Sequence, residues 1–154
     1  MSAGAGQRYM SFRLATETWG VEILKVRELI GLLELTRVPG APAFVRGVVN
    51  LRGRVIPVID LKRKLGIDET PLHPHTVIMV VLGPQGATGL LVDEVLDVVS
   101  FEPEAISGAQ AVTQGTFAAE LLAGVGRHHE RVVFLLNLER ALTGPAPDEV
   151  RASP

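Results

Sequence analysis

Residues 47–60 read Gly-Val-Val-Asn-Leu-Arg-Gly-Arg-Val-Ile-Pro-Val-Ile-Asp. Two apolar runs flank a short polar turn that carries Arg52 and Gly53. Gly53 supplies the positive φ that a tight turn needs, so the stretch reads as a β-hairpin. Arg52 then stands at the tip, exposed, where no core requires an arginine. The stretch has no nucleophile, ligand cluster or phosphate loop, and it reads as a surface for gripping another protein.

Outward from this hairpin, the chain is rich in turns. Its 16 glycines and 10 prolines punctuate it at short intervals, as in an all-β domain. Strands are predicted over 9–15, 19–23, 26–30, 47–51, 54–59, 75–82, 87–93, 95–101 and 131–136. One helical turn is predicted after Pro42, at 44–46. Pro57 points to an edge or bulged strand. Asp60 caps a short helix at 61–65 that Gly66 stops, and Asn137 caps a second at 138–142 that Gly144 stops. A third short helix is expected near 117–122. Residues 1–8 and 144–154 read as flexible ends around one domain at 9–143, with lobes at about 9–70 and 75–143 and chain exchange between them left open.

The two halves resemble each other. A shift of 77 lays 42–65 on 119–142 without a gap, matching Gly47 with Gly124, Arg54 with Arg131 and Asp60 with Asn137. A shift of 69 matches Gly20 with Gly89, Ile23 with Val92, Val26 with Val95 and Glu28 with Asp97. This pattern implies a tandem duplication of a small β unit. At the hairpin tips the halves part: Leu51-Arg52-Gly53 faces His128-His129-Glu130. The scaffold therefore does not dictate that turn.

Composition narrows the function. The 154 residues are 47% hydrophobic, enough to bury a core. The net charge of −2 provides no basic field for nucleic acid. With no cysteine, a disulfide scaffold is excluded and a reducing cytosol is the natural compartment. Residues 1–8 lack the apolar region of a secretory signal, and no apolar run is long enough to span a membrane. His128, His129, His73 and His75 lack the spacing of a metal shell, so no metal and no cofactor are expected. Gly83 to Gly86 reads as a hairpin turn and not a phosphate cradle. Asp93, Glu94 and Asp97 read as a solvated acidic face with no partner base. No catalytic residue is assigned, and an enzyme is disfavoured. Arg46, Arg52, Arg54, Lys62, Arg63 and Lys64 read either as a solvated face or as a surface for an acidic partner.

Further residues extend the pattern: Phe12-x-Leu14, Trp19-Gly20-Val21-x-Ile23, Val26-x-Glu28-Leu29, Thr36-x-Val38-Pro39, the run from Pro42 to Gly53, Ile56 to Leu61, and Val92-Asp93-x-Val95. Together these resemble the CheW-like chemotaxis coupling proteins over about 9–143. The resemblance implies a mostly β fold, two SH3-like five-stranded β-barrel lobes packed on a shared hydrophobic core, with short helices. It implies a non-catalytic, cytoplasmic adaptor, recruited to membrane receptor arrays. Its implied partners are the cytoplasmic tip of methyl-accepting chemoreceptors and the regulatory domain of a CheA-like histidine kinase. The alternative keeps the fold: an adaptor or detached kinase regulatory module of a non-flagellar pathway, such as gliding or development. Receptor contacts are implied at Val26, Glu28, Gly47, Arg52 and Val98. The residues leave two alternatives open: Arg52 offers its planar fork to the partner, or it pairs with Glu28 and holds a groove in shape. The repeat match at Gly124 favours a structural role for Gly47.

Overall fold

Short alternating segments broken by glycine and proline can satisfy their backbones only by pairing with one another, and the chain resolves into two sheets. The computed structural model describes residues 6–67, 72–108 and 121–143. Eleven strands run in the order β1 Gln7–Leu14, β2 Glu17–Glu22, β3 Val26–Gly31, β4 Val45–Leu51, β5 Arg54–Asp60, β6 Val77–Gly83, β7 Gly86–Val92, β8 Glu94–Phe101, β9 Ile106–Ser107, β10 Leu122–His128 and β11 Arg131–Leu136. Helices α1 Leu61–Leu65 and α2 Leu138–Thr143 follow β5 and β11.

One sheet has six strands in the order β8-β1-β2-β11-β10-β9, and the other has five in the order β3-β6-β7-β5-β4. The fold is thus mostly β with two sheets and short helices, and among the described residues hydrogen bonds close neither sheet into a barrel. The sixth strand is the two-residue β9, opposite Val125 and Gly126 on β10. In the five-stranded sheet a single bridge, Thr36 opposite Val48, stands in the corresponding place.

Pairing register follows both sequence offsets. Leu51 faces Arg54 as His128 faces Arg131, and both hairpins bulge just before a glycine, Gly47 or Gly124. Asp60 N donates to Phe44 O at 2.7 Å, and Asn137 N donates to Leu121 O at 2.8 Å. The halves are interleaved. The β4–β5 hairpin joins β7 through a parallel ladder at Val58–Gly89, and the β10–β11 hairpin joins β2 through one at Leu135–Gly20. Parallel pairing demands a long connection: β5 reaches β7 by way of α1 and β6, and β2 reaches β11 only after the chain has built the whole five-stranded sheet.

Each sheet curls round its own cluster. Val49, Ile56, Val58, Ile78, Val80 and Leu91 fill the five-stranded one. Tyr9, Val99, Phe101, Val133 and Leu135 fill the six-stranded one. A third cluster between them takes Phe12, Leu14, Trp19 and Val21 from one sheet and Ile59, Met79, Val81 and Leu90 from the other. This is the shared core. Burying one such leucine or valine contributes about 1.5–3 kcal/mol, so the interface between sheets is a main source of stability.

Local signals explain the helices. Asp60 Oδ1 accepts from Arg63 N at 3.3 Å, and Gly66, at φ 76°, stops α1. Asn137 Oδ1 accepts from Arg140 N at 3.2 Å. Gly144 and most of the helix expected near 117–122 lie outside the described residues, but Leu122 within that span begins β10. No helical turn forms at 44–46: residues 43–44 make a simple turn in which Val45 N donates to Pro42 O at 3.0 Å, and Val45 and Arg46 already belong to β4. Pro57 lies in an inner strand and not at an edge, and the β4–β5 pairing is bulged just beyond it, where Val58 and Ile59 face Gly47 and Val45. The β5–β7 ladder begins one residue later, at Val58, so the missing N–H costs that ladder nothing.

Candidate functional site

The tip of the β4–β5 hairpin is built to hold an arginine outward. Arg52 and Gly53 both have positive φ, 52° and 83°. This is the backbone that a two-residue hairpin turn needs, and it is unfavourable for arginine. Asn50 Oδ1 accepts from Gly53 N at 2.9 Å and braces the turn from inside the strand. Its counterpart in the other half, Arg127, has no such acceptor. Asn50 was visible in the sequence only as part of the family motif; its spacing three residues before a turn glycine is the signal for this bracing role.

Arg52 reaches across the curl of its sheet. β3 and β4 are the two edges of the five-stranded sheet. Yet Arg52 Nη1 donates to Glu28 Oε1 at 3.3 Å, and Nη2 donates to Oε2. The sheet that hydrogen bonds leave open is thus closed by a two-pronged ion pair. The Arg52 hydrogen bond, with its charge, holds the Glu28 carboxyl below the usual range despite some desolvation. The same hydrogen bond and charge raise the Arg52 guanidinium. The arginine side chain remains 70% exposed, so one face of the pair is presented to solvent.

The other implied contact residues are placed differently. Val26 opens β3, opposite Val81, and packs half-buried against the shared core. Gly47 sits at the β4 bulge with φ 149°, where a Cβ would meet Thr36 O at 2.5 Å. The Thr36 bridge needs that space. Val98 stands on β8, the edge of the six-stranded sheet, 44% exposed and opposite Met10. The structure therefore joins Glu28 and Arg52 directly, with Val26 and Gly47 on the strands that carry them. Val98 belongs to the other sheet.

The basic cluster does not form one open patch. Lys62 and Lys64 are buried, Lys64 with its Nζ 3.8 Å from the centre of the Phe44 ring. Arg46 Nη1 lies 2.9 Å from Asp60 Oδ2. Nor is the acidic group a uniform solvated face. Asp97 accepts from Ser11 Oγ at 2.7 Å, and Glu94 pairs with Arg13 at 3.2 Å. Asp93 is buried and its Oδ1 lies 2.7 Å from Lys62 Nζ. Burial pushes the Asp93 carboxyl up, but the hydrogen bonds from Lys62 and Ala15 and the charges of Lys62 and Arg13 outweigh it and hold it below the usual range.

Two curled sheets on one core, with a braced cationic turn facing solvent, define a two-sheet β scaffold. A family model described as the CheW-like domain matches residues 8–145. The chain is 38% identical over 138 residues to the chemotaxis protein CheW of Klebsiella aerogenes, covering 90% of this chain and 82% of that one. It is 31% identical over 143 residues to protein FrzA of Myxococcus xanthus, covering 88% and 85%. Among solved structures, the scaffolding protein TtCheW from Thermoanaerobacter tengcongensis superposes with a TM-score of 0.82 at 28% identity, covering 90% of this chain and 93% of that one. The chain belongs to the CheW-like domain family. No helix among the described residues is long and apolar enough to cross a membrane.

Proposed function

We propose that this chain couples the cytoplasmic tip of methyl-accepting chemoreceptors to the regulatory domain of a CheA-like histidine kinase, in the cytoplasm at membrane receptor arrays. The observation that carries this reading is the Arg52 turn. It is strained, braced by Asn50, tied to Glu28 and chemically unlike its repeat counterpart, in a chain of the CheW-like family. A planar guanidinium with an open face suits a carboxylate or carbonyl on a helical receptor tip. Glu28 fixes its direction, which lowers the ordering cost on docking. Val26 and Val98 add apolar area, and Gly47 keeps the strand beneath Arg52 in place.

Co-sedimentation with receptor-bearing membranes and kinase tests the reading. Wild type joins the complex, whereas Arg52→Glu folds normally and its binding falls by at least about tenfold, as for a central arginine contact. Equal binding by both chains would remove Arg52 from the interface. Failure of the wild type to bind any receptor or kinase would remove the function itself.

A further inference from the structure

Among the described residues the chain passes between its sheets twice, and the repeat makes the two crossings comparable. From β7 to β8 it crosses at Asp93, and from β2 to β3 it crosses at Ile23–Lys25, with Leu24 in the position equivalent to Asp93. Asp93 is 4% exposed and Leu24 is 89% exposed.

Asp93 is held from both sides. Its Oδ1 receives Lys62 Nζ from α1 at 2.7 Å, and its Oδ2 receives Ala15 N from the β1–β2 turn at 2.6 Å. Asp93 N also donates to Arg13 O at 3.1 Å. Beside it, Arg13 pairs with Glu94 at 3.2 Å. One carboxylate thus ties α1, attached to the five-stranded sheet, to a hairpin of the six-stranded sheet.

At the other crossing every member of this arrangement is replaced. Lys62 corresponds to Glu139, Ala15 to Pro84, which has no N–H, Arg13 to Leu82 and Glu94 to Lys25. The Ile23–Lys25 turn contributes no buried residue and has no side-chain cap. A fold that repeats its register so closely, yet keeps the polar tie at only one of two equivalent crossings, holds its sheets unequally.

We propose that the Lys62–Asp93–Ala15 tie is a lock, the fixed point about which the two sheets tilt, and that the Leu24 crossing is the side that yields. The chain lacks cysteine, so two spin labels can be placed at will. Val55 on β5 and Val132 on β11 are repeat counterparts, one per sheet, and are 69% and 48% exposed. With labels at V55C and V132C, pulsed dipolar spectroscopy reads the distance between sheets. Lys62→Met with Asp93→Asn removes both charges and keeps an acceptor for Ala15 N; the distance distribution should broaden. Leu24→Asp with Pro84→Ala and Glu139→Lys builds the lock into the second crossing; the distribution should narrow. A double variant that folds with the wild-type distribution overturns the proposal. If that variant does not fold, the triple variant decides alone, and an unchanged distribution there overturns the proposal.

Discussion

The hairpins Val45–Asp60 and Leu122–Asn137 share a skeleton and differ at the tip. Both bulge at a glycine, both place a positive-φ residue first in the turn, Arg52 or His129, and both end in a cap for a short helix. Beyond that they close their sheets by different means. In the five-stranded sheet, Arg52 reaches Glu28 across the curl. In the six-stranded sheet, the Phe101 ring lies so close to Gly126 that a Cβ there would meet it at 2.8 Å, and it sits edge-on to His128 at 6.2 Å between centres. The six-stranded sheet is thus shut with apolar packing, the five-stranded one with an exposed ion pair. An exposed pair contributes little to stability. Its presence where packing would suffice supports the proposal that the tip is a contact surface.

The comparison can be broken first at the crossings. Lys62→Met alone leaves Asp93 buried without its hydrogen-bonded lysine and should cost about 3–5 kcal/mol. Glu139→Met, the same position in the other half, should change stability by less than about 0.5 kcal/mol. Urea unfolding of both variants checks this, and equal effects would end the distinction between crossings.

Next come the bulge glycines. Gly47→Ala places a Cβ 2.5 Å from Thr36 O at a φ of 149°, and about 1–3 kcal/mol of strain should appear as a lower melting temperature. Gly124→Ala meets Ser107 O at 2.9 Å without the positive φ, so its loss should be smaller.

Acid sharpens the picture further. The Asp93 carboxyl is held below its ordinary value in the folded chain. Its contribution is therefore complete above the unfolded carboxylate pKa of about 3.9 and is lost as pH falls through the lower folded value. The stability gap between wild type and Lys62→Met with Asp93→Asn should close as pH falls below about 4. Unfolding curves from neutral pH downward check it. A gap that closes near neutral pH would point to a different group.

What was legible in the sequence was local. The Arg52-Gly53 turn, the Asp60 and Asn137 caps and the Gly66 stop each depend on a few neighbouring residues, and each is in place. The repeat offset matched Gly47 with Gly124, and both glycines sit at bulges where the backbone of Thr36 or Ser107 passes close by. The Glu28–Arg52 pair stood among the alternatives because the family resemblance brought both residues to one surface. The interleaving of halves between sheets was not legible in detail, since parallel ladders such as Val58–Gly89 join residues far apart in the chain. The burial of Asp93 escaped for the same reason: Ala15, Lys62 and Asp93 meet only in the folded chain. Pro57 pointed to an edge or a bulged strand, and it could not choose between them because composition cannot tell where a ladder starts.

The most direct test of the central claim is a charge swap at the tip. Glu28→Arg with Arg52→Glu keeps an ion pair across the curl while reversing the charge it presents. Receptor co-sedimentation of this double variant is measured beside wild type, with melting followed in parallel. If Arg52 touches the receptor, the swapped chain melts like wild type and fails to bind. Full binding by the swapped chain would show that Arg52 only braces Glu28, and would contradict the account.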